Sequence, residues 1–185
     1  MDALSLRALA LALACVLTPA SAAAQDEERP AEVRIKAAFL YKFCQFVEWP
    51  PAAFAAPDGA FTIGVVSADA LADELAQVVS QRSVHGRPVV VRKLKRGAPL
   101  AGLHLLFVGG RDGGRLPEVL AAAKGRPTLT VTEAEDGDDP GSVINFVLVA
   151  DKLRFDVALP PAEAGGLKIS ARLLAVARKV VAGAS

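Results

Sequence analysis

Two histidines, two cysteines and one glycine-rich stretch are the residues of this chain best equipped to do chemistry. His85 lies in a Gly-Arg-Pro turn, and His104 opens the apolar run His104-Leu105-Leu106-Phe107-Val108. Neither has a Cys or His companion at metal-ligand spacing, and no G-x-S-x-G marks a nucleophile elbow. These residue types therefore predict no catalytic set, no metal site and no cofactor, and His104 reads as a hydrogen-bonded structural imidazole. Gly109-Gly110-Arg111-Asp112-Gly113-Gly114-Arg115 falls between a predicted strand and a predicted helix, where backbone N–H groups can cradle an anion. It is neither G-x-G-x-x-G nor a Walker sequence. A plain surface turn is the bland reading; a small anionic ligand held by Gly109, Gly110, Arg111, Gly113 and Gly114 is the sharper one. Arg87, Arg154 and Lys168 could each meet a carboxylate, but singly they define no site.

Aromatic residues carry a second signal. The chain has eight Phe, one Trp and one Tyr, and Phe39, Tyr41, Phe43, Phe46, Trp49 and Phe54 fall within one short stretch. Placed at helical steps, Val33, Ala37, Leu40, Tyr41, Cys44 and Val47 form one apolar stripe, and Ile35, Phe39, Phe43 and Phe46 form another beside it. Arg34, Lys42 and Gln45 keep a polar strip. This is more apolar surface than one-sided packing needs, and a large apolar side chain contributes about 1.5–3 kcal/mol when covered. The cover is either the chain's own domain or another protein, with Phe39, Phe43, Phe46 and Trp49 as the candidate partner-binding or dimer-interface residues.

The elements that must position these residues alternate. A helix from Pro30 and Glu32 to about Val47 stops at Trp49-Pro50-Pro51. Strand patterns at Phe61–Val66, Val89–Val91, His104–Val108 and Thr128–Thr132 are interleaved with helical patterns at Ala68–Val79, capped by Ser67, and Leu116–Ala123. Val143–Val149 and Leu153–Leu159 predict an antiparallel hairpin ended by Pro160-Pro161, and a helix is predicted from about Ser170 to Val181. The expected fold is α/β: one layered domain with a largely parallel sheet, a C-terminal antiparallel hairpin and helices on both faces.

Residues 1–24 read as a secretion signal: Arg7, the apolar run Ala8–Leu17, then the exit Ala22-Ala23-Ala24, with a single domain expected over 25–185. Cys15 follows Ala12-Leu13-Ala14, a poor match to a lipid-attachment motif, so an exported chain without a lipid anchor is expected, in the periplasm. Cys44 would then be the one mature cysteine, buried or paired between chains, with no intramolecular disulfide. No later segment approaches the roughly 20 apolar residues a membrane helix needs. Lys and Arg number 21 against 20 Asp and Glu, which disfavours a nucleic-acid partner, and 52% hydrophobic residues exclude disorder.

Ala37-Ala38-Phe39-Leu40-Tyr41-Lys42-Phe43 and Val47-Glu48-Trp49-Pro50 resemble the opening of the YfiR family of periplasmic proteins. Further blocks follow in order: Ile63-Gly64-Val65, Gly86-Arg87-Pro88, His104 to Val108, Ile144-Asn145-Phe146, Arg154-Phe155 and Gly166 to Leu174. The resemblance implies a regulator without catalysis, binding and repressing the periplasmic portion of an inner-membrane signalling enzyme. That enzyme would be a diguanylate cyclase controlling cyclic di-GMP and biofilm, or alternatively a sensor kinase. An outer-membrane lipoprotein is implied as a second partner, and a homodimer is a further expectation. The best-described member carries disulfides, one cysteine standing just before the His-Leu-Leu-Phe-like block; Leu103 stands there in this chain, so redox control is not expected. The competing reading is a periplasmic small-ligand-binding protein using the Gly109–Gly114 loop.

Overall fold

The computed structural model describes residues 21–54, 59–110, 115–133 and 140–183, with side chains from Pro30 onward. Helix α1 (Ser21–Phe46) leads into β1 (Val47–Glu48) and a 3₁₀ turn at Pro51–Ala53. Then come β2 (Phe61–Val66), α2 (Asp69–Val79), β3 (Ser83–Val84), β4 (Arg87–Leu94), β5 (Leu105–Val108), α3 (Leu116–Ala123) and β6 (Leu129–Glu133). The chain continues through β7 (Ile144–Val149), β8 (Lys152–Ala158), α4 (Leu159–Ala164), β9 (Lys168–Ile169), α5 (Ala171–Val176) and β10 (Lys179–Val181).

Eight strands form one sheet in the order β10-β8-β7-β6-β5-β2-β4-β3. It is parallel from β4 across to β7; β3 with β4 and β7 with β8 are the antiparallel pairs, as their two-residue loops require. β1 and β9 make a separate antiparallel pair. The β-branched and leucine-rich runs predict the central strands because a strand covered on both faces has no polar side to show. Alternate residues of the sheet, among them Phe61, Ile63, Leu105, Phe107, Val131 and Phe146, bury against α1 and α2. On the opposite face Val66, Leu106 and Val108 pack with Leu103 and Ala123, partly covered by Leu116 and Val119 of α3. Helices therefore lie on both faces of a mostly parallel sheet.

Ala150 and Asp151 form the β7–β8 turn with φ of 47° and 58°, the left-handed pair a two-residue hairpin demands. Alanine is strained there. Ala150→Gly or Ala150→Asn is expected to raise stability by about 0.5–1 kcal/mol, read as the midpoint of urea unfolding at unchanged slope.

The structure departs from the sequence expectation at several places. Helix α1 begins at Ser21 and carries Pro30 inside it, the alanine-rich stretch before the proline being a good helix former. Ser67 does not cap α2: it holds φ 57°, and Ala68 is the cap with no side-chain hydrogen bond. Pro160 and Pro161 open α4, where a missing N–H costs nothing, as much as they close the hairpin. The C-terminal helix, capped by the Ser170 side chain, stops at Val176 and the chain re-enters the sheet as β10 beside β8. Arg178 accounts for the break: its guanidinium donates to both oxygens of Asp156 and its N–H to the Phe155 carbonyl.

Candidate interaction site

Helix α1 runs antiparallel to the parallel strands, since Lys36 reaches Glu133 at the carboxyl end of β6 while His85 Nε2 lies 3.0 Å from the Val47 carbonyl at the other end. Ala37, Leu40, Phe43, Cys44 and Val47 are buried by the sheet. Phe43 fits between Phe146 and Phe155, at ring-centroid distances of 5.6 and 5.0 Å. Trp49 is also buried, edge-on to Phe61 at 4.9 Å with its indole N–H donating to the His104 carbonyl. Of the four aromatic candidates, then, Phe43 and Trp49 lie in the chain's own core. Phe39 and Phe46 sit at its rim, half-buried, Phe39 packing its inner side on Phe155 at 5.8 Å.

The outward side of the helix completes the picture. Ile35, Phe39, Lys42 and Phe46 fall at i, i+4, i+7 and i+11, a narrow stripe facing away from the sheet centre. Ile35 is 48% exposed, and Leu148, 59% exposed, stands two residues beyond Phe146 on the same face of β7. The stripe and Leu148 thus extend the Phe39–Phe146–Phe155 contact outward toward one end of the sheet.

Cys44 is buried, its thiol donating to the Leu40 carbonyl at 3.2 Å, and burial pushes its ionisation far up; it is a packing residue. Arg87 lays its guanidinium 4.1 Å over the Phe54 ring and donates to the Gly59 carbonyl. Arg154 and Lys168 are exposed on β8 and β9. Among the described residues no group of three His, Cys, Asp or Glu is arranged to hold a metal ion.

His104 is stacked between Phe54 and Phe61, 4.8 and 4.7 Å away. Its Nδ1 accepts the Thr62 N–H at 3.0 Å, so the ring proton sits on Nε2, aimed toward the Ala53 carbonyl without closing an ordinary hydrogen bond. Burial, with Arg87 nearby, holds the imidazole below its usual range although the Ala53 carbonyl favours its charged form. The neutral ring is therefore the folded form. As pH falls through about 6.5 the unfolded chain takes up this proton first, so stability is full above that value and declines below it until the folded ring titrates. Melting temperature is expected to fall more steeply between about pH 7 and pH 5 in the wild type than in His104→Asn, which keeps an acceptor for Thr62 and loses the titration.

The glycine-rich loop starts at the carboxyl end of β5, beside the point where strand order reverses around β2, the usual ligand crevice of such sheets. Arg111, Gly113 and Gly114 lie outside the described residues. Gly109 must be glycine, because a Cβ there would come within 2.7 Å of the Ser67 carbonyl. The Gly110 N–H, the group an anion would use, donates to Glu133 Oε1 at 2.8 Å. Glu133 in turn pairs with Lys36, which also bonds Glu32. A carboxylate of the chain itself thus occupies the described part of the loop, beside a crevice of about 270 Å³ lined by Lys36, Ser67, Asp69 and Phe107. Sequence reasoning missed Glu133 because its partners lie 23 and 97 residues away along the chain.

Fold and site together define an α/β domain with one aromatic helix at its surface. Residues 33–178 match the YfiR/HmsC-like family, and the chain belongs to it. That membership supports a periplasmic regulator of cyclic di-GMP signalling in general and implies an inner-membrane signalling protein as its partner. No curated protein matches the chain. No helix among the described residues is long and apolar enough to cross a membrane.

Proposed function

We propose that the protein is exported with loss of residues 1–24 and binds the periplasmic portion of an inner-membrane diguanylate cyclase, holding it inactive and so limiting biofilm. Family membership supports the class of partner. The observation that carries the contact is the α1 stripe, where Ile35, Phe39 and Phe46 stay partly uncovered although the same helix buries Phe43 beside them. Large apolar groups at the edge of a packed core are what an interface centre uses, and truncating one there often costs about 2 kcal/mol or more. Phe43 supports Phe39 from beneath, while Trp49 packs on Phe61 at the far end of the helix.

A photo-crosslinking residue placed at Ile35 in cells is expected to capture a membrane protein carrying a diguanylate cyclase domain, whereas one at exposed Lys124, just past α3 on the opposite face, is not. Capture of the cyclase from Lys124 alone, or of a second copy of this chain alone from Ile35, would overturn the assignment; the second outcome would make the stripe a homodimer interface.

A further inference from the structure

We propose that the outer edge of β4 accepts an extended acidic segment of a partner protein as an added strand. β3 covers β4 only at Arg87 and Pro88. The turn between them is the two-residue pair His85-Gly86, with φ of 50° and 77°, so Val84 and Arg87 form its hydrogen-bonded pair. Outward-pointing backbone groups alternate from there. Those of Val89, Val91 and Lys93 therefore face away from β2, and no described strand takes them.

The side chains along this edge select the occupant. Val90 is 44% exposed, and Arg92 and Lys93 are exposed on opposite faces of the strand, Lys93 beside Asp73 of α2 at 2.7 Å. Lys95 and Arg96 follow at once. Cations on an edge strand oppose pairing with a like edge, so a second copy of this chain is disfavoured. The same charges attract a strand bearing carboxylates, whose main chain would supply the ladder and whose side chains the specificity. Past the carboxyl end of β4, a groove of about 210 Å³ between the following loop and α3, lined by Val66, Leu94, Leu100, Arg115, Glu118 and Val119, offers space for an apolar side chain.

The test titrates the isotope-labelled full chain, at low ionic strength, with a capped peptide of alternating Glu and Val. Saturable shifts and slowed hydrogen exchange at the Val89, Val91 and Lys93 amides are expected. The double variant Arg92→Glu, Lys95→Glu should bind about tenfold more weakly or worse at unchanged melting temperature, since both side chains are exposed. A peptide N-methylated at alternate residues should lose the exchange protection. Equal binding of the N-methylated peptide would mean ionic adsorption without a strand ladder and would overturn the proposal, as would equal binding of a Lys-Val peptide or no response at those amides.

Discussion

Phe43→Ala is expected to lower the unfolding free energy by about 3–5 kcal/mol, the cost of deleting a ring from a well-packed core. Phe43 is 1% exposed and its ring touches Phe39, Phe146 and Phe155, so three aromatic neighbours on α1, β7 and β8 lose a partner at once. Helix and sheet are both anchored elsewhere and cannot close fully on the void, Lys36 binding Glu133 at one end and Trp49 donating to the His104 carbonyl at the other. Each kcal/mol lowers the melting temperature by roughly 2–4 °C in a domain of this size, so a fall on the order of 10 °C is expected. A loss below about 1 kcal/mol would contradict the placement of this ring at the helix–sheet junction.

The opposite result is expected one face away. Ile35→Glu puts a charge on an exposed position of α1, where substitutions usually change stability by no more than about 0.5 kcal/mol. In the bound state the same charge would be buried against an apolar partner surface, a penalty of several kcal/mol. The variant should therefore fold and melt as the wild type does while failing to repress, raising cellular cyclic di-GMP to the level of a deletion strain. Full repression by a stably folded Ile35→Glu protein would remove the stripe from the interface.

These two substitutions mark what the sequence could and could not tell. Helical steps placed Phe43 and Ile35 in the same apolar stripe, but only the position of the sheet decides which side of that stripe is covered. The order of strands and helices was legible because Phe61–Val66, His104–Val108 and Val143–Val149 are apolar runs too short for buried helices and bounded by turn residues. The C-terminal element was misread for the converse reason: Leu173, Leu174, Ala177, Val180 and Val181 keep helical spacing, and the break depends on Arg178 finding Asp156, 22 residues back on β8. The anion reading of the glycine-rich loop turned on Glu133, whose link to Gly110 no local pattern reveals.

Repression of a cyclic di-GMP-forming enzyme from the periplasm is the activity we propose. Its most direct measurement is the cellular cyclic di-GMP of a strain lacking this gene, compared with the same strain carrying the full chain or a chain without residues 1–24. A rise on deletion, reversed by the full chain and not by the chain without residues 1–24, is the expected result. Unchanged cyclic di-GMP on deletion would contradict the account, and tight binding of a small ligand by the purified protein would then favour a ligand-binding role for the Gly109–Gly114 region.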